Sequence, residues 1–357
     1  MVEVPLFLAS RIVKGKEKKM DLLLKVVLLL VGFVLLVKGA DIFVEGSSGI
    51  AKILRVPSII VGCTVVSMGT SLPELAVSTT AAISGANEIA LSNVIGSNIF
   101  NFLMVLGFTA LLAKEAVPVK DSVLKVEFPL NLIVTAALGV MAVDMMLTGT
   151  KIYETGNLFS SVNGNVITGS IGRIDGIILL VIFIGYMIYT VKAALKARNE
   201  VTDEDNEPAL PIWKAIVFII AGIIAIKFGG DFVVTGAKAI AAALGMSQTL
   251  IGLTIVACGT SLPELVTSVV AARKGETDLA VGNVIGSDLF NMLFILGVST
   301  TIHPIAVISS SVADLIFALG VAIVGLIFCR TKKSVNRVEG IIMILAYAAY
   351  LVYIIIR

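Results

Sequence analysis

Two short stretches carry an acid and hydroxyls inside otherwise apolar sequence: Gly69-Thr70-Ser71-Leu72-Pro73-Glu74 and Gly259-Thr260-Ser261-Leu262-Pro263-Glu264. Proline has no N–H and clashes with the carbonyl four residues back, so Pro73 and Pro263 release the carbonyls of Gly69 and Gly259 from a helical ladder. Thr and Ser at the break add hydroxyl oxygens, and Glu74 and Glu264 add carboxylates. A second pair of stretches, Asn93-Val94-Ile95-Gly96-Ser97-Asn98-Ile99-Phe100-Asn101 and Asn283-Val284-Ile285-Gly286-Ser287-Asp288-Leu289-Phe290-Asn291, adds a hydroxyl and an amide four residues apart, hence on one helix face. The combined donor set is all oxygen, without sulfur or imidazole. Such sets suit Ca2+, and Na+ by the same hardness argument, far better than zinc or copper. Two carboxylates neutralise one Ca2+.

These residues sit in a chain built for lipid. Of 357 residues, 57% are hydrophobic and 15% charged, whereas soluble domains run at roughly 45 to 50% apolar and about 25% charged. A balance of 27 Lys and Arg against 25 Asp and Glu excludes a nucleic-acid binder, and the apolar excess excludes a disordered chain. Cys63, Cys258 and Cys329 fall in apolar runs as small buried residues, and His303, before Pro304, reads as a loop residue. Neither histidine-based hydrolysis nor metal enzymology has residues to run on. No enzyme and no cofactor are expected.

A bilayer core about 30 Å thick takes roughly 20 apolar residues to cross. Such runs centre on residues 22–44, 57–83, 89–112, 124–146, 174–194, 211–243, 247–272, 279–300, 308–329 and 338–356, which predicts an all-α membrane protein of ten transmembrane helices. Several runs are interrupted by polar residues that lipid would not tolerate, so the breaks face protein or water. Lys and Arg gather in the loops after odd-numbered spans, among them Lys52, Arg55, Lys192, Lys196, Arg198 and Lys332, which places those loops inside and the N-terminus outside. Five basic residues in an N-terminal extension, residues 1–20, argue the other way and are outvoted. Trp213, Tyr186 and Tyr189 read as interfacial anchors.

Residues 62–107 align with 252–297 at a constant offset of 190, and 25 of the 46 positions are identical. The offset extends upstream, pairing Gly32 with Gly222, Gly39 with Gly229 and Asp41 with Asp231. Residues 21–194 and 211–357 then form two five-helix repeats joined by a cytoplasmic linker, 195–210. An odd number of spans forces inverted topology, the architecture of secondary transporters with a substrate site near the midplane. Two repeat-related carboxylates at that depth demand a cationic partner. Glycines 62, 96, 252 and 286 read as close-packing positions, Asp41 and Asp231 as pairing with Lys38 and Lys227, and the acids 200, 203, 204, 205 and 207 as a solvated linker.

Both Gly-Thr-Ser-Leu-Pro-Glu segments, each followed by Asn-Val-Ile-Gly-Ser, resemble the alpha-repeats of the sodium/calcium exchanger branch of the calcium/cation antiporter superfamily. The resemblance covers residues 20–357 and implies two long tilted helices, around 22–53 and 211–243, that slide to alternate access. By position it implies ion ligands at Thr70, Ser71, Glu74, Ser97 and Asn101, at Thr260, Ser261, Glu264, Ser287 and Asn291, and at carbonyls near Ser67 and Ala257. Many exchangers have Asp where this chain has Asn291. Here an acid, Asp288, stands three residues earlier and on a face turned roughly 60° away, so it enters as a further candidate ligand. If the family Asp acts neutral, Asn291 substitutes for it and Na+ exchange survives; if it acts charged, proton coupling through Glu74 and Glu264 gains ground. The expected activity is export of Ca2+ against Na+ across the plasma membrane, with H+ exchange and then a channel as alternatives, the lipid bilayer as surroundings and no obligate protein partner.

Overall fold

The computed structural model describes residues 3–144, 167–200, 210–246, 251, 254–255 and 257–356. In chain order the helices are α1 (Glu3–Leu54), α2 (Ser58–Thr70), α3 (Leu72–Ile83), α4 (Asn87–Phe100), α5 (Leu106–Leu112), α6 (Phe128–Met141), α7 (Arg173–Glu200), α8 (Ile212–Ala243), α9 (Ala257–Gly259), α10 (Leu262–Arg273), α11 (Thr277–Leu289), α12 (Leu296–Ile302), α13 (Ser309–Lys332) and α14 (Arg337–Ile356). A π-helical turn, Gly62–Val66, lies within α2; two others, Asn101–Val105 and Phe290–Ile295, join α4 to α5 and α11 to α12; another, Val123–Glu127, leads into α6.

Among the described residues, eight helices are long and apolar enough to cross a membrane, and α2 with α3 forms a further span bent by 50° at Ser71. Most of 247–256, the first half of the seventh expected span, and residues 145–166, the tail of the fourth, fall outside the described residues. So do linker acids Asp203, Glu204, Asp205 and Glu207 and the expected packing glycine Gly252. The backbone of residues 3–19 is helical and continuous with the first span.

Burial sorts the helices by the company their side chains need. In α11 every residue from Leu279 to Leu289 is buried, including Asn283, Ser287 and Asp288, so this helix is enclosed on all faces. By contrast α1, α7, α8 and α13 keep Leu30, Val34, Ile184, Ile220 and Ile327 about half exposed, as side chains facing lipid do. The repeated motifs run through α2, α3 and α4 and through α9, α10 and α11; α3 buries Glu74 and Ser78 while its Leu72, Val77 and Ile83 are exposed.

Glycine sets how closely α1 and α8 pack. A Cβ on Gly32 would lie 2.8 Å from the carbonyl oxygen of Gly229, and one on Gly229 would lie 2.7 Å from the amide nitrogen of Leu36. The two backbones therefore touch, in the manner of small-residue membrane interfaces. Two short antiparallel sheets tie the halves together: β1 (Val117–Pro118) pairs with β4 (Ser334–Val335), and β2 (Ile167–Ile171) with β3 (Ile305–Ile308). In each, the strand that follows the third span of one half meets the strand that precedes the last span of the other.

Several sequence expectations are corrected. Gly96 has open space where a Cβ would stand, so it is not a packing position, whereas Gly62 and Gly286 press against the backbones of Leu279 and Cys63. Tyr186 is buried, because its helix turns that face toward the core, while Trp213 and Tyr189 are exposed as anchors are. Asp41 pairs with Lys274 at 2.6 Å rather than with Lys38, since a neighbouring element brings the ammonium closer; Asp231 does pair with Lys227, at 2.9 Å. Cys63 and Cys329 are buried and Cys258 half-buried.

Candidate functional site

The two proline motifs break their helices in the same way. Ser71 has φ −84° and ψ 12°, and Ser261 has φ −93° and ψ 8°, both in the sparsely allowed bridge region that interrupts a helix without reversing it. Each is followed by a helix with proline in its first turn, where a missing N–H costs nothing. Glu74 and Glu264 fall in those first turns and are 0% and 1% exposed. No ion pair among the described residues involves either carboxylate.

What the carboxylates meet is the other copy. Ser71 Oγ donates to Glu264 Oε1 at 2.8 Å, and Ser261 Oγ lies 2.9 Å from Glu74 Oε1 and 3.0 Å from Ser97 Oγ. The exchange is reciprocal, as contacts across a twofold relation are. Around it the scaffold repeats: Asn93 Nδ2 donates to Ser78 Oγ at 2.9 Å and to the Glu74 carbonyl, while Asn283 Nδ2 donates to Ser268 Oγ at 2.9 Å and to the Glu264 carbonyl. Thr70 Oγ1 donates to Asn283 Oδ1 at 3.0 Å, and Thr260 Oγ1 stands 3.5 Å from Asn93 Oδ1. Asn93 and Asn283 thus fix both motifs against their neighbouring helices.

The amides behind the carboxylates are aimed by acceptors on the other copy. Asp288 Oδ1 accepts from Asn101 Nδ2 at 3.0 Å, which turns the Asn101 carbonyl away from the acid. The backbone carbonyl of Asp288 accepts from Asn98 Nδ2 at 3.2 Å, leaving Asn98 Oδ1 to accept from Asn291 Nδ2 at 3.0 Å. Asn291 must then turn its own carbonyl outward from that pair. Through its side chain and its backbone, one residue sets the orientation of both asparagines.

Among the buried oxygens without a hydrogen-bond partner in the described residues, six belong to the repeated motifs: Glu74 Oε2, Glu264 Oε2, Asp288 Oδ2, Asn101 Oδ1, Asn291 Oδ1 and Ser287 Oγ. Each neutral group of this kind costs about 1 to 3 kcal/mol, and a charged one more. Every one is a hard donor. A Ca2+ or Na+ ion offsets these penalties where a proton donor could satisfy only one oxygen at a time.

Comparison with known proteins identifies the family. The sequence model described as sodium/calcium exchanger protein matches residues 24–192 and 214–356. The chain belongs to the sodium/calcium exchanger family. It is 38% identical over 335 residues to the putative antiporter CaxA of Alkalimonas amylolytica, covering 92% of this chain and 98% of that one. It is 34% identical to the sodium/calcium exchanger MaX1 of Methanosarcina acetivorans, covering 91% and 97%. A structure of the sodium-calcium exchanger NCX_Mj soaked with Na+ and zero Ca2+ is similar at a TM-score of 0.76 and 30% identity, over 93% of this chain and 99% of that one. Together with the apolar helices, this makes the chain an integral membrane protein.

Of the residues expected from sequence, Thr70, Ser71, Glu74, Ser97, Asn101, Ser261, Glu264, Ser287, Asp288 and Asn291 are all buried, and Thr260 is partly so. The Ser67 carbonyl accepts the Ser71 N–H at 3.0 Å, and the Thr70 hydroxyl, whose one proton has its shorter contact to Asn283 Oδ1, stands 3.3 Å from it. Ala257 opens the short helix α9. The asparagines 93, 98 and 283 were visible in the repeated motif but carried no assigned role, and their repeat spacing was the signal. Asp288 was visible, yet its bond to Asn101 crosses the two copies and no intra-helix spacing shows it.

Proposed function

We propose that this chain is a secondary active antiporter that exports Ca2+ in exchange for Na+, the two ions competing for Glu74 and Glu264 at the membrane midplane. The observation that carries the reading is the reciprocal holding of the two carboxylates, each by the other copy's serine, with a second oxygen of each left for an ion. Thr70, Ser97, Asn101 and Asp288, with Thr260, Ser287 and Asn291, complete the ion cage, and the carbonyls at Ser67 and Ala257 sit at its margin. The reciprocity supports two inverted five-helix repeats, ten spans in all, and the Lys and Arg of the loops after odd-numbered spans support an outside N-terminus and a cytoplasmic 195–210 linker.

Alternating access follows from the packing over the helix breaks. A Cβ on Gly69 would lie 2.9 Å from Phe43 Cζ of α1, and one on Gly259 would overlap Val234 of α8. The α1–α8 pair therefore lies against both breaks, and sliding it by a turn exposes one side of the site or the other. Two uncompensated acids keep the unloaded protein from reorienting, because carrying them through a dry state is costly. That is the condition for exchange rather than leak.

The test is purified protein in liposomes with Ca2+ uptake driven by imposed gradients. Uptake into Na+-loaded vesicles that stops when internal Na+ is replaced by choline supports Na+ coupling. Uptake that ignores Na+ and follows a pH gradient moves the assignment to Ca2+/H+ exchange, and flux without any counter-ion gradient makes it a channel. Glu74→Gln or Glu264→Gln abolishes exchange in a folded protein; wild-type transport in either overturns the site.

A further inference from the structure

A carboxylate outside the paired-glutamate site is also buried, one turn into the helical segment that begins at Val123. Glu127 ends the π-helical turn that leads into α6, is 8% exposed, and its Oε2 has no hydrogen-bond partner. It lines a cavity of about 280 Å3 together with Ser122, Thr190, Tyr189, Cys63 and Lys120. A water needs on the order of 10 to 15 Å3 of such space, so a partly hydrated ion fits.

We infer that this cavity is a second cation site, selective for a monovalent ion, with Glu127 as its anchoring ligand. A buried carboxylate without a partner is costly, and an ion in the cavity beside it offsets that cost. The partner among the cavity's own residues is already engaged: Lys120 Nζ lies 3.3 Å from Asp278 Oδ2 and its side chain is half exposed at the cavity mouth. No ion pair among the described residues involves Glu127. One negative charge is neutralised by one Na+ or K+, whereas Ca2+ leaves an excess positive charge beside the lysine. The hydroxyls of Ser122, Thr190 and Tyr189 are oxygen donors of the right hardness, and among the described residues no second acid lines the cavity to favour a divalent ion.

The cavity abuts the helix that enters the transport site. Cys63 lies on its wall and stands four residues before Ser67, about 6 Å along a helix axis. A cation held at Glu127 thus waits beside the element whose break carries Ser71. The inference rests on the reading of Glu74 and Glu264 as the transport pair only for the background in which it is tested.

That test is equilibrium binding of radioactive sodium to full-length protein in detergent, using the E74Q/E264Q variant so that the transport site is silenced. One Na+ per chain remains bound, E127Q in this background loses it, and E127D, which keeps the charge, retains it; unchanged elution and melting of E127Q show that it is folded. A tenfold excess of K+ displaces the ion and an equal concentration of Ca2+ does not. The inference is overturned if E74Q/E264Q binds no Na+, if E127Q binds as much as its parent, or if equimolar Ca2+ displaces Na+. Co-purifying phospholipid that increases in E127Q would also overturn it, as the mark of an anionic headgroup in the cavity. Failure of the transport-site reading shows separately, as Ca2+ binding that survives E74Q/E264Q.

Discussion

Ser71→Ala removes one hydroxyl and nothing else from the site. Its Oγ donates to Glu264 Oε1 at 2.8 Å, both groups are fully buried, and Ser71 makes no side-chain cap to the helix it precedes. A hydrogen bond to a charged group contributes about 1.5 to 3 kcal/mol. Without it the carboxylate turns toward another donor, and Ca2+ must pull it back before binding, so the lost bond appears in the apparent affinity. At about 1.4 kcal/mol per factor of ten, Ca2+ binding weakens roughly 10- to 150-fold. Ser261→Ala breaks the equivalent 2.9 Å contact to Glu74 and weakens binding by a similar factor. Because the serines act on different carboxylates, their effects add in the double variant. Calorimetric titration of Ca2+ against wild type and the three variants reads all of this. A loss below twofold in S71A, or single-variant losses that differ by more than roughly tenfold, would refute the reciprocal arrangement.

Protons and Ca2+ compete for Glu74 and Glu264, so Ca2+ binding releases protons and weakens as pH falls, by up to roughly 100-fold per unit where both carboxyls titrate; affinity measured across pH checks the sign and slope. Gly32→Ala or Gly229→Ala forces a methyl into backbone contact between α1 and α8 and destabilises by about 1 to 3 kcal/mol in thermal unfolding. Gly259→Ala slows exchange more than Gly69→Ala, since Val234 is stiff at χ1 whereas Phe43 meets the Gly69 methyl with the far end of its ring; flux at saturating Ca2+ distinguishes them. Asn291→Asp sets a carboxylate oxygen against Asn98 Oδ1, forcing that amide to flip and give up its 3.2 Å bond to the Asp288 carbonyl, which lowers stability by about 1 to 3 kcal/mol. If melting of N291D matches wild type, the asparagine relay is not as described.

The sequence made the breaks legible because proline acts locally: Pro73 and Pro263 interrupt their helices wherever those helices pack. Burial of the acids was legible because the surrounding runs are too apolar for any other depth. Partners were not. Nothing in the spacing of α3 says that Glu74 meets Ser261 rather than Ser71, since the contact depends on how two copies face each other. Asp41 shows the same limit, its neighbour in sequence being Lys38 and its neighbour in space Lys274. Glu127 sat in plain view within an apolar run, but only the cavity beside it separates a candidate ligand from a residue at a helix end.

Reciprocity also explains how a small motion can change affinity at both carboxylates together. With Ser71 on Glu264 and Ser261 on Glu74, any shift of one motif relative to the other lengthens both contacts at once, so the ion site loosens as a unit. The asparagine layer is where the two copies differ. Position 98 is Asn and its counterpart 288 is Asp, so Asn101 leans on a carboxylate while Asn291 leans on an amide. Each amide is thus aimed by the other copy, one by a carboxyl oxygen and the other by an amide oxygen, so a shift between the copies disturbs both.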